Sequence, residues 1–207
     1  MKSLAWWLPA ALCAAPLLQG CELALLGAGS ATAYAAYEDR RTSGMQIDDE
    51  AIEMRTQARV ADRFADKVHL NVNAYNRTVL LTGEAPDEAT RAEIEKIVRA
   101  VPNVRAVTNE MQIAPVSTFG DRANDSFLTT HIKARFLHSK RFNPMHVKVA
   151  TEAGVVYLLG LVTDREADDA VEIARRTGGV RKVVKIFEYC KSLDSACRPS
   201  SAGKTAP

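Results

Sequence analysis

The chain has 207 residues, 47% of them hydrophobic, and a formal net charge of +2. Residues 1–20 hold one lysine and no acid, so the remainder carries +1; general nucleic-acid binding, which needs a clear basic excess, is disfavoured. Roughly 160 residues remain once a linker is set aside, room for one domain or two small ones.

The first element is an uncharged apolar run, Leu4 to Leu18, behind Met1-Lys2-Ser3. A basic start, a short apolar core and small residues before a cut site mark a secretory signal. The run is shorter than the ~20 residues that cross a bilayer, and Pro9 and Pro16 suit a helix interior poorly. The rival is an uncleaved anchor running on through "LALLGAGSATAYAAY"; it would put Glu22 inside the membrane, at a few kcal/mol or more. Leu18-Gln19-Gly20-Cys21 resembles the bacterial lipobox. That resemblance implies diacylglyceryl on the Cys21 thiol, cleavage after Gly20 and acylation of the new amine, as with palmitate. Glu22 in the sorting position points to the outer membrane. Several acyl chains hold firmly where one binds reversibly. Residues 1–20 are thus read as a lipoprotein signal peptide and 21–46 as a lipidated tether.

A duplication follows. With Gly83 aligned on Gly160, Val79-Leu80-Leu81 falls on Val156-Tyr157-Leu158 and Asp87 on Asp164. Val104-Arg105-Ala106-Val107 matches Val180-Arg181-Lys182-Val183 with one residue of slippage. Each copy opens with a helix, residues 47–66 and 122–141. An alternating strand follows (Val68, Leu70, Val72; Val147, Val149), then a hairpin turn at Asn76-Arg77 or Glu152-Ala153-Gly154. A more apolar strand runs to Gly83 or Gly160, where close backbone packing or a positive φ is expected. The next helix starts near Pro86-Asp87 or at the capping box "TDRE". It ends at Pro102 or Gly178-Gly179, and a valine-rich strand closes the copy. The order is αββαβ, a three-stranded sheet with one apolar face covered by two amphipathic helices.

Paired αββαβ units, each with the strand-Gly-helix pattern and an ending such as "GVRKV", resemble the BON domain over about residues 45–190. The fold class is α+β: two tandem BON domains, 47–115 and 122–190, each with a three-stranded mixed sheet, followed by a disordered tail, 191–207. Behind a lipobox, the pair resembles the dual-BON outer-membrane lipoproteins. The resemblance implies a non-enzymatic, phospholipid-binding role at the periplasmic face, tied to envelope integrity and division sites.

The opening helices differ in charge: residues 47–66 carry net −3 and residues 122–141 net +4. Anionic headgroups favour the second. At about 100° per residue Leu128, Ile132 and Phe136 form a core stripe, and Phe127, Thr130, His131, Ala134, Leu137 and Arg141 point away. One reading is shallow membrane insertion of Phe127 and Leu137 with Lys133, Lys140 and Arg141 at headgroups. The other is that this face packs on the first BON unit or on an envelope protein, making the chain an interaction scaffold. The four histidines, His69, His131, His138 and His146, are spread out; His131 and His138, seven apart on one helix face, read as surface residues beside bases, with no carboxylate or thiol at ligand spacing. No nucleophile constellation or phosphate loop is found, so no enzyme, metal or cofactor is expected, and a monomer is. Cys190 and Cys197 are a candidate disulfide.

Overall fold

The computed structural model describes residues 39–191. The signal, the Cys21 lipidation point, most of the tether, the tail and Cys197 lie outside the described residues. The first helix, α1 (Ser43–Phe64), is capped by Thr42, whose hydroxyl accepts from the Met45 amide. It buries Asp49, Ile52, Thr56 and Val60 along one stripe, the spacing of an amphipathic helix. A short 3-10 turn leads to β1 (His69–Tyr75), which pairs antiparallel with β2 (Thr78–Ala85). Asn76 and Arg77 both have positive φ, 49° and 64°, as a two-residue type I′ turn requires. Asp87 caps α2 (Glu88–Arg99), which returns the chain to β3 (Ala106–Asn109), parallel to β2.

The second unit repeats the path: α3 (Phe119–Ser139), β5 (Val147–Glu152), β6 (Val155–Val162), α4 (Asp164–Arg175) and β7 (Lys182–Tyr189). Ala153 and Gly154 make its hairpin turn, with φ of 48° and 71°. Thr163 and Glu166 form the capping box of α4. A second capping box, Thr118 with Asp121, starts α3 ahead of residue 122. The first unit departs from its twin in its closing strand. After β3 the chain bulges, the Met111 amide donates to the Asn109 side chain, and Met111 is buried. Pairing with β2 resumes only at β4 (Gln112–Ile113), so this sheet has four short strands where three were expected.

Gly83 has φ of 111°, and a Cβ there would lie 2.1 Å from the His69 carbonyl oxygen. At Gly160 the same atom would lie 2.4 Å from the His146 carbonyl oxygen. Close strand approach therefore explains the glycine common to the two copies.

The sheets are covered on both faces, not one. Val79, Leu81 and Ala85 of β2 join the helix-covered core with Ile52, Ile94 and Val98; Val156, Leu158 and Val162 of β6 do the same with Leu128, Ile132 and Phe136. Leu80 points the other way and packs with Tyr75, Tyr157 and Leu159 in a third cluster. The two sheets thus stack back to back, with α1 and α2 outside one and α3 and α4 outside the other. Every residue of β2 after Thr78 is buried, the burial pattern of a strand enclosed on both sides. Among the described residues no helix is long and apolar enough to cross a membrane.

Candidate functional site

The α3 helix buries Leu128, Ile132 and Phe136 against β5 and the second core. Because that stripe satisfies the fold, its far side has no apolar duty inside the unit. Phe127 is nevertheless 69% exposed and Leu137 66%. Thr130, His131, Lys133 and Ala134 are exposed with them. The Phe127 and His131 rings lie 6.0 Å apart, tilted, and the Thr130 hydroxyl donates back to the Ser126 carbonyl.

Phe119, the first residue of α3, is 80% exposed. It precedes Leu137 by about five helical turns and so points the same way, about 27 Å along the axis. Exposed Ile113 and Val116 lead into it. The apolar face is therefore longer than a helix starting at 122 allows, and the Thr118-x-x-Asp121 pattern was the sequence signal for the earlier start.

The cations divide. Lys133 is exposed on α3, and exposed Lys140 caps the helix in the left-handed region at φ of 52°. Arg141 turns to α4, where it pairs with Asp169 and, at 2.9 Å, with Glu172, so it holds two helices together and is not a free headgroup cation. Arg122 is half-buried and donates to the Ser117 carbonyl. The one acid between 122 and 141, Asp125, is buried; its carboxylate accepts from the Ala153 and Gly154 amides at 2.8 and 2.9 Å. The exposed stretch from 122 to 141 thus shows no carboxylate of its own. The acids of α1 serve similar internal duties: Asp49 accepts from the Asn76 and Arg77 amides at 2.8 and 2.7 Å, Asp48 pairs with Arg77, and Glu53 with Lys148. Exposed Ile47 and Met54 on α1 went unnoticed in the sequence.

His131 and His138 are exposed, as expected. His146 is buried and His69 only partly exposed. Cys190 is held in a disulfide.

Two αββαβ units with a glycine at the same strand contact, and an aspartate clamping the same turn, agree with the matches of the BON domain family to residues 48–115 and 124–191. The chain belongs to the BON family. Its BON units extend through most of the similarity to the outer membrane lipoprotein DolP of Haemophilus influenzae, 38% identical over 174 residues, 83% of this chain and 90% of that protein. The 21 kDa hemolysin of Actinobacillus pleuropneumoniae is 34% identical over 153 residues, 73% and 79% of the two chains. The osmotically-inducible protein Y of Escherichia coli is 31% identical over 144 residues, 68% and 72%.

Proposed function

We propose that this BON protein is an outer-membrane lipoprotein, anchored through Cys21, with a binding and not a catalytic role. Its second unit docks on anionic phospholipid through the outer face of α3. The observation that carries the reading is the solvent exposure of Phe127 and Leu137 opposite a complete core stripe. Phe119, Thr130, His131 and Ala134 extend that face, and Lys133 and Lys140 flank it. The identity shared with DolP, an outer membrane lipoprotein by name, supports the anchorage. Insertion of Phe127 and Leu137 is worth about 1.5–3 kcal/mol each when fully buried, and each lysine near an anionic surface about 1 kcal/mol. Neither term suffices alone, so docking of the second unit needs apolar insertion and the charged surface together, and the acyl anchor adds to both by holding the unit near the leaflet.

The test is co-sedimentation of a non-acylated chain beginning at residue 22 with vesicles. Vesicles rich in phosphatidylglycerol should bind it, added salt should weaken binding, and Phe127→Glu should lower it at least tenfold without changing the circular dichroism. If pure phosphatidylcholine binds equally well, the electrostatic half of the reading falls. If no vesicle binds, the same face serves a protein partner and the chain is an envelope interaction scaffold.

A further inference from the structure

We propose that His69, Glu84 and Glu152 form a binding site for a divalent first-row metal ion of the zinc type, shared between the two BON units. His69 and Glu84 face each other across the β1–β2 pair; Glu152 ends β5 of the other unit. The His69 Nδ1 lies 2.9 Å from Glu84 Oε2 and 3.9 Å from Glu152 Oε1, and one donor atom from each residue lies within 4.8 Å of the others. Ligand atoms around an ion with bonds of about 2.0–2.2 Å stand roughly 3–4 Å apart, so small side-chain adjustments close the set.

Charge is the stronger argument. Glu84 and Glu152 are 6% and 3% exposed, yet among the described residues no lysine or arginine forms an ion pair with either. One imidazole faces two buried carboxylates. A dication would supply the missing positive charge. The imidazole directs the choice toward zinc-like ions and away from magnesium or calcium, which prefer oxygen ligands alone.

The ligands are also held from behind. The Asn71 amide donates to Glu152 Oε2 at 2.7 Å, and the Ser117 backbone amide donates to Glu84 Oε2 at 3.2 Å. Such outer contacts orient metal-binding carboxylates. Two cavities, about 460 Å³ beside His69 and Glu152 and about 340 Å³ beside Glu84 and Glu152, meet the trio and admit water as the remaining ligand. An ion there would fasten the first sheet to the second.

The experiment uses the full chain in detergent, without a histidine tag and stripped by chelator, titrated with zinc against a chromophoric competitor. One ion per chain should bind, and at a hundredfold excess over its Kd the thermal midpoint should rise by roughly 5–10 °C. His69→Gln and Glu152→Gln should each weaken binding about a hundredfold or more, and cobalt should give a visible ligand-field band that both variants lose. Glu152→Gln keeps the side-chain shape and removes the buried charge, so it is expected to fold. The double variant His131→Gln/His138→Gln, on the exposed face of α3, should bind zinc as the wild type does. Absence of saturable binding in the wild type, unchanged affinity in both trio variants, or loss in the double variant overturns the site.

Discussion

Arg40 and Arg41 are consecutive, and they fasten the end of the tether to different BON units. Arg40 donates to the Leu161 carbonyl and forms a two-pronged pair with Glu166 of α4, at 2.6 and 3.0 Å. Arg41 pairs with Asp49 of α1 and lies 4.1 Å over the Tyr75 ring. Residues 40 and 41 are therefore fixed at the seam between the units. Burial works to raise the Glu166 carboxyl, but hydrogen bonds from His146, Arg40 and the Thr163 amide outweigh it and hold the group well below the usual carboxylate range. A carboxyl depressed in the folded state gives stability that is complete above its unfolded value, about 4.3, and is lost as pH falls below that toward the folded value. Glu166→Gln should accordingly lower the thermal midpoint at pH 7, by about 2 kcal/mol of stability for the lost charge-assisted bonds. The gap from wild type should hold above about pH 5 and narrow steadily as pH falls below about 4.3 in a melting series. A gap that stays constant with pH would mean that the charge of Glu166 contributes nothing.

At the scale of elements, each opening helix is tied to its own hairpin by one buried aspartate. Asp49 and Asp125 accept from two consecutive turn amides, with the turn residues at positive φ in both units. Two amides that would otherwise lack partners are satisfied, and the helix is placed across the hairpin end. Asp125→Ala should cost about 3 kcal/mol, the range for buried hydrogen bonds to a charged group, or roughly 6–12 °C in melting midpoint for a body of this size. Vesicle binding below the new midpoint should persist, because Asp125 points away from Phe127; if binding disappears while the fold remains, the aspartate belongs to the docking face. The helices, turns and strand order were legible because period, capping and glycine signals agree locally. The clamp was not. Asp125 lies 28 residues before Ala153, and in sequence it is one more acid in a charge count. For the same reason Arg141 looked like a headgroup cation, since Asp169 and Glu172 come from a helix far along the chain. Leu128, Ile132 and Phe136 separated correctly from Phe127 and Leu137 because that distinction depends on one helix alone.

At the scale of the whole molecule, the feature hidden from the sequence is the second covered face of each sheet. Leu80 and Leu159 sit in strands so uniformly apolar that alternation cannot reveal two different partners. The His69–Glu84–Glu152 trio was hidden likewise, because its members belong to both copies and meet only when the sheets stack. Around the shared apolar cluster of Tyr75, Leu80, Tyr157 and Leu159 runs a polar border: Lys148 with Glu53, Asn71 with Glu152, and Asn76 and Arg105 with Glu188. Partly exposed ion pairs are worth about 0–1 kcal/mol each, so the buried apolar side chains must supply most of the docking energy. Leu159, 1% exposed at the centre, is the point at which to test this. Leu159→Asp places an unpaired carboxylate among apolar side chains, where ionisation is strongly penalised, and the units should separate to hydrate it. In a chain of residues 39–191, small-angle scattering should then move from a radius of gyration of about 15 Å, expected for one compact body, to above about 17 Å. Melting should broaden or split as the units lose their mutual cover. Leu128→Asp, inside the second unit's own core, should instead unfold that unit without first separating two folded ones. A Leu159→Asp chain as compact and as cooperative in melting as the wild type would show that the polar border holds the units together.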